Sequence, residues 1–115
     1  MTTPALCRLL LWVDDCAALA DFYTTTFGWT ISVDERAEQW IELDAGGFCL
    51  ALHGGRHGPR QRGWPKIQVR VADVAAFRST LIARGIAMGE IQSWKTLAWS
   101  EGADPEGNIF QIANR

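Results

Sequence analysis

The sequence has no long apolar run and no block of like charge. The apolar stretch Leu9 to Val13 is far too short to cross a bilayer, and no basic start followed by a long apolar segment marks a signal peptide. The formal net charge is −2 and no Lys/Arg cluster stands out, so neither nucleic acid nor a membrane is expected as a partner. Arg56, Arg60 and Arg62 lie close together, but in a Gly/Pro-rich connector that is predicted to be a solvated loop. Cysteine is scarce. Cys7, Cys16 and Cys49 are odd in number and lack paired spacing, which argues for free thiols in a reducing cytoplasm. Cys7 and Cys49 fall in apolar strand-like runs and are expected to be buried. The glycines fall in turns, and none forms a phosphate-binding loop. What is present is a chain of 115 residues, 48% of them apolar, the length of one domain and able to bury a core without metal or disulfide.

The two halves repeat each other. Val13-Asp14-Asp15-Cys16-Ala17-Ala18-Leu19 matches Val71-Ala72-Asp73-Val74-Ala75-Ala76-Phe77, with Asp73 standing 58 positions after Asp15. Gly28 and Gly85 follow at similar distances, and Asp44-Ala45-Gly46-Gly47 lies against Asp104-Pro105-Glu106-Gly107. Each copy reads alike. Leu6–Val13 and Lys66–Val71 are predicted strands, each ending at an Asp placed to cap a helix. Leu19, Phe22, Tyr23 and Phe27 form the apolar stripe of the first helix; Val74, Phe77, Leu81 and Ile82 form that of the second. Gly28 and Gly85 suit the left-handed residue at a helix end. A strand follows each helix, near Thr30–Val33 and Ile86–Ile91. A hairpin closes each copy, Gln39–Leu43 with Phe48–His53 and Thr96–Ala103 with Asn108–Ala113. The expected fold is α+β, a tandem βαβββ repeat forming one domain over residues 1–115. Module 1 spans about 1–55 and module 2 about 64–115, joined by a connector at 54–63, with curved mixed sheets around a central cavity and helices outside.

Alternation assigns the strand faces. Cys7, Leu9, Leu11 and Val13 are expected against the helix, leaving Arg8, Leu10 and Trp12 on the concave side. Ile67, Val69 and Val71 pack, leaving Lys66, Gln68 and Arg70. In the closing strands Phe48, Leu50, Leu52, Phe110 and Ile112 pack, leaving Cys49, Ala51, His53, Ile109, Gln111 and Ala113. Trp40 and Glu42 oppose Ile41 and Leu43 in the same way.

Six tryptophans are the strongest positive signal. Indole faces stack on flat molecules and on cations, each contact contributing roughly 0.5–1.5 kcal/mol beyond area burial. Trp29, just past the first helix, is assigned to packing, whereas Trp94 and Trp99 are expected at the opening of the cavity. His53 and His57 have i, i+4 spacing but lie at a strand end and in a Gly-rich loop without a third ligand, so rim histidines are expected. Cys49 and His53 share a strand face about 13 Å apart, too far for a nucleophile–base pair. Glu42 and Glu101 are candidate proton-transfer groups whose partners the sequence does not fix.

Val13-Asp14-Asp15…Phe22-Tyr23…Phe27-Gly28-Trp29, the repeated Val71-Ala72-Asp73…Gly85 and the terminal Asp104-Pro105-Glu106-Gly107-Asn108-Ile109-Phe110-Gln111 together resemble the vicinal oxygen chelate superfamily. That superfamily includes glyoxalase I, extradiol dioxygenases, and fosfomycin- and bleomycin-resistance proteins. The resemblance covers the whole chain. It implies metal-ligand positions at Arg8, Ala51, Lys66 and Gln111, where enzymes of the group carry His and Glu. Arg and Lys offer no lone pair at neutral pH, Ala has no donor, and a Gln carbonyl is weak, so no metal and no cofactor are expected. The resemblance then favours the bleomycin-resistance type, a cytoplasmic homodimer binding a small planar or aromatic molecule, such as an antibiotic, by stacking in a dimer cleft. The ligand-binding residues expected are Trp12, Trp40, Arg8, Lys66, Arg70, Gln111, Glu42 and Trp99, with the basic groups and Gln111 favouring an anionic or carbonyl-bearing ligand. The alternative is a glyoxalase-like lyase or isomerase, or a dioxygenase-type enzyme, working without metal or with atypical ligands.

Overall fold

A computed structural model describes residues 3, 6–56 and 65–115. The chain divides into two compact units, Met1–Pro59 and Arg60–Arg115. In the first unit β1 (Arg8–Trp12) leads to α1 (Cys16–Phe27), then β2 (Thr30–Glu35), a 3-10 turn (Arg36–Glu38), β3 (Trp40–Asp44) and β4 (Cys49–His53). The second contains β5 (Ile67–Arg70), α2 (Val74–Ala83), β6 (Gln92–Trp94), β7 (Leu97–Ala103) and β8 (Ile109–Ala113). Both sheets have four strands in the same spatial order, β1-β4-β3-β2 and β5-β8-β7-β6. In each the first strand pairs in parallel with the last, and the remaining neighbours are antiparallel. The tandem βαβββ repeat predicted from the sequence is therefore the architecture.

The helices begin where the aspartates require. Asp15 accepts a hydrogen bond from the Ala18 N–H at 3.0 Å and Asp73 from the Ala76 N–H at 3.0 Å, each satisfying one of the unpaired donors of a first turn. Gly28 ends α1 at φ 72°, a conformation that would strain a side chain. From these fixed ends α1 packs on β3 and β4, and α2 on β7 and β8. Leu19, Tyr23, Ile41, Leu43 and Leu52 are fully buried in the first unit, as are Leu81, Phe110 and Ile112 in the second. Tyr23 also stacks on Trp29 with ring centroids 5.5 Å apart, and Trp29 on Phe27 at 5.0 Å, which confirms Trp29 as a packing residue.

Several expectations are corrected. Ile86–Ile91 is not a strand; the strand is Gln92–Trp94. The preceding stretch meets β7 at one backbone bond, Gly89 N–H to the Glu101 carbonyl at 2.8 Å. The Gly89 carbonyl instead accepts from Arg78 Nε and from the Ser100 hydroxyl, both at 2.7 Å, so no ladder extends along this stretch. Cys7 and Phe48 are exposed, not packed. They precede the ladder, which opens at the Arg8–Cys49 pair, and alternation binds only residues held in a ladder. Cys49 is half-buried, and Ile82 is 45% exposed despite its place in the helical stripe. Ala51 does lie on the face opposite the helix, but between Leu10 and Glu42 its small side chain is covered. Arg56 is buried, not solvated: its N–H donates to the Val13 carbonyl at 2.9 Å and its guanidinium lies 3.4 Å from Asp14. His57, Arg60 and Arg62 lie outside the described residues.

Gly102 gives a direct test of the packing. A Cβ there would fall 2.7 Å from Phe110 Cζ and 2.6 Å from Met88 Sδ, and the Phe110 ring is fully buried. Gly102→Ala is expected to destabilise the protein by about 1–3 kcal/mol in urea denaturation, the usual cost of overpacking. An unchanged midpoint would mean that the second unit repacks freely around β7.

Candidate functional site

The faces of the two sheets turned away from the helices carry the polar and aromatic residues, arranged in cross-strand rows. In the first unit one row runs Trp12–His53–Trp40, and the next runs Leu10–Ala51–Glu42. Arg8 and Cys49 start the third. The second unit repeats this pattern with Arg70–Ala113–Trp99–Gln92 and Gln68–Gln111–Glu101. Arg8 thus corresponds to Lys66, Trp12 to Arg70, Trp40 to Trp99, Glu42 to Glu101 and Ala51 to Gln111. The eight expected site residues divide evenly: Arg8, Trp12, Trp40 and Glu42 share one sheet face, and Lys66, Arg70, Trp99 and Gln111 share the other.

In both units the carboxylate of a Trp-x-Glu segment faces a cation, Arg8 at the start of β1 or Lys66 just before β5. Glu42 Oε2 accepts from the Trp40 indole N–H at 2.9 Å, while Oε1 accepts from the Cys49 thiol at 3.2 Å and lies 3.7 Å from Arg8 Nε. Glu101 Oε2 accepts from Lys66 Nζ at 2.6 Å and from Gln111 Nε2 at 2.7 Å. Gln111 Oε1 accepts from Gln68 Nε2 at 3.0 Å, which fixes the orientation of that amide. The hydrogen bond from Trp40, then that from Cys49 and the charge of Arg8, hold the Glu42 carboxyl below its ordinary value. Lys66, then Gln111, do the same for Glu101. Burial pushes the Cys49 thiol up, and Glu42 adds to this, so Cys49 is kept protonated and is not an activated nucleophile.

Each unit also has its own cavity. In the first, about 420 Å³ is lined by Leu6, Cys7, Phe48, Cys49, Glu42 and Asp44 among others. In the second, about 490 Å³ lies over Lys66, Gln68, Gln111, Glu101 and Trp99, walled by Gly89, Glu90, Gln92 and Leu97. Arg8, Trp12, Trp40 and Arg70 stand on these faces but outside the cavity linings. Trp94 shares the face of Trp99 and is 59% exposed, with Lys95 Nζ 4.6 Å from its ring centroid. His53 is exposed and tilted against Trp40, ring centroids 5.8 Å apart.

At the positions where the resemblance implies metal ligands, the donor set does not fit a divalent cation. Arg8 and Lys66 already engage the nearest carboxylates, Ala51 has no donor atom, and the Gln111 carbonyl is taken by Gln68. Among the described residues no group of three His, Cys, Asp or Glu could hold a metal ion.

Gln68, Glu90, Gln92 and Leu97 were not among the expected ligand-binding residues, and neither was Glu101. A signal for Glu101 was available: Trp40-Ile41-Glu42 and Trp99-Ser100-Glu101 are a further register of the repeat. Gln68 was assigned the correct face without a role. Gln92 reaches the cavity from β6 and Glu90 from the irregular stretch before it, which no sequence pattern marks.

The chain belongs to the glyoxalase-like domain family, whose model matches residues 8–113, and so to the superfamily its motifs indicated. No curated protein matches it. Solved structures share the fold at low identity. Lactoylglutathione lyase from Agrobacterium tumefaciens is 20% identical, with TM-score 0.77 over 98% of this chain and 95% of that one. TnmS3, an antibiotic binding protein from Streptomyces sp. CB03234, is 22% identical, with TM-score 0.76 over 97% and 96%. A glyoxalase/bleomycin resistance protein/dioxygenase from Nocardioides is 19% identical, with TM-score 0.79 over 98% and 84%. Among the described residues no helix is long and apolar enough to cross a membrane.

The lowered carboxyls set a sign for acid behaviour. A carboxylate whose folded-state pKa lies below its unfolded value adds stability fully present above that unfolded value, and lost as pH falls through the folded one. The Glu42 and Glu101 contributions therefore hold at neutral pH and disappear on acidification below the ordinary 4.5. By carboxyl carbon NMR the Glu101 midpoint is expected below 4.5 and to rise toward it in Lys66→Met, which removes the largest cause. A midpoint indifferent to Lys66→Met would refute the pairing.

Proposed function

We propose that this protein binds a small planar or aromatic organic molecule, such as an antibiotic, without a metal, by stacking on its tryptophans in a cleft formed with a second copy of the chain. The observation that carries this reading is the repeated Trp-x-Glu segment. In each unit it sets an indole beside a carboxylate that faces a cation, Arg8 or Lys66, and that lines a cavity of about 420 Å³ in the first unit and 490 Å³ in the second, where Trp99 itself joins the lining. Cavities of this size suit a drug-like ligand. The donor chemistry at the positions where the resemblance implies metal ligands supports metal independence, because Arg8 and Lys66 offer no lone pair at neutral pH and Ala51 has no donor atom. Depressed carboxyl pKa values make Glu42 and Glu101 poor proton-transfer groups near neutral pH, which favours binding over turnover. The half-exposed Leu10 and Trp12 on the edge strand β1 suit contact with a second copy. That a neighbour of the same fold is an antibiotic binding protein agrees with the reading.

Titration of intrinsic tryptophan fluorescence with planar aromatic antibiotics, in the presence of chelator, is expected to give saturable quenching with the ligand recovered intact. Trp12→Ala and Trp40→Ala should each weaken binding about tenfold or more, the usual cost of losing an aromatic anchor. Wild-type affinity in both variants would refute the stacking assignment, and stoichiometric metal in the purified protein would refute metal independence.

A further inference from the structure

The basic residues of the concave faces suggested an anionic ligand, but in the second unit the geometry points the other way. Among the described residues the cavity is lined by one cation, Lys66, and two carboxylates, Glu101 and Glu90. Lys66 is engaged by Glu101 at 2.6 Å. Both described donors reaching Glu101, Lys66 and Gln111, bond to Oε2, and among the described residues no donor reaches Oε1. Gln68 donates its amide N–H to the Gln111 carbonyl, and among the described residues its own carbonyl accepts no hydrogen bond. Glu90 is exposed, and the structure gives it no ion pair among the described residues. Trp99 lies in the cross-strand row beside these groups, flanked by Gln92. The two other cations of this face are placed elsewhere. Arg70 stands across Ala113 from Trp99 and outside the lining, and Lys95 is held over Trp94.

From this we infer that the second unit's cavity selects a flat ring system carrying a protonated amine or amidine. The ring stacks on Trp99, and the cationic N–H groups face Glu101 Oε1 and Glu90. This rests on the planar-ligand reading above and adds the charge of the ligand to it. A cation over an indole face with a carboxylate at its edge gains both quadrupole attraction and a charge-assisted hydrogen bond, whereas an anion in the same place would meet two like charges.

The test is equilibrium dialysis of the full chain, in chelator and at low salt, against two flat three-ring probes: cationic proflavine and anionic 9-anthracenecarboxylate. Proflavine is expected to bind about tenfold more tightly, and this preference should shrink as salt is raised. Glu90→Gln, a change at an exposed position, should weaken proflavine about threefold and leave 9-anthracenecarboxylate no weaker. Glu101→Gln removes a carboxylate and releases Lys66, so it should abolish or reverse the preference. Equal binding of the two probes, or a preference for the anion, would overturn the charge selection and leave the planar-ligand reading standing. A cation preference untouched by both substitutions would overturn the assignment to this cavity. Retention of neither probe would overturn the planar-ligand reading itself.

Discussion

In each unit the first strand lies parallel to the last, β1 on β4 and β5 on β8, and a parallel pair cannot be closed by a hairpin. The connection has to leave the sheet, and it does so as α1 or α2, started by an aspartate cap. The helix then covers one face of its sheet, which forces Leu50, Leu52, Phe110 and Ile112 inward. The other face is left for residues that are not needed for the core. The same parallel register sets Arg8 beside Cys49 and Gln68 beside Gln111, so the composition of the site follows from a constraint on chain connection.

The site faces combine charge and aromatic surface in a way that limits their chemistry. Arg8 and Lys66 are each matched by a glutamate two residues after a tryptophan. Lys66 is held by Glu101 at 2.6 Å and Arg8 lies 3.7 Å from Glu42, and both carboxyls are held below their ordinary value. Beside these pairs stand indole surface and, among the described residues, the Glu101 Oε1 and Gln68 acceptors and Glu90, which has no ion pair. The two units have diverged within one frame. Where the first has an aromatic row of Trp12, His53 and Trp40, the second has Arg70, Ala113 and Trp99. Ala113 in place of His53 removes a ring from the centre of that row.

Much of this was legible in order along the chain, because local rules govern it. The caps at Asp15 and Asp73, the turn at Gly28 and the faces of β1, β3, β5 and β8 follow from hydrogen-bonding capacity and two-residue periodicity. Such features need only neighbours in sequence. The failures fall where the chain leaves a ladder. Cys7 and Phe48 obey alternation on paper, yet no partner strand holds them in it. Ile86–Ile91 is rich enough in apolar residues for a strand, but side chains from Arg78 and Ser100 occupy the carbonyl at Gly89. Arg56 reads as a loop residue until the backbone of Gly55 and Arg56 is seen bonded to Asp14 and Val13.

By itself the sequence determined the repeat, the order of elements, the inward-facing residues within the ladders and the identity of the side chains at the positions where the resemblance implies ligands. These depend on spacing and on residue chemistry, both of which are linear properties. Only the tertiary structure decided which charges cancel. Lys66 and Glu101 are 35 residues apart, and Gln68 and Gln111 are 43 apart, so their pairing is set by strand register and leaves no mark in the chain. Net charge in a cavity is the sum over groups that folding brings within hydrogen-bond reach. For that reason a face read as basic along the sequence is, in the second unit, a cavity whose described lining carries two carboxylates and one cation.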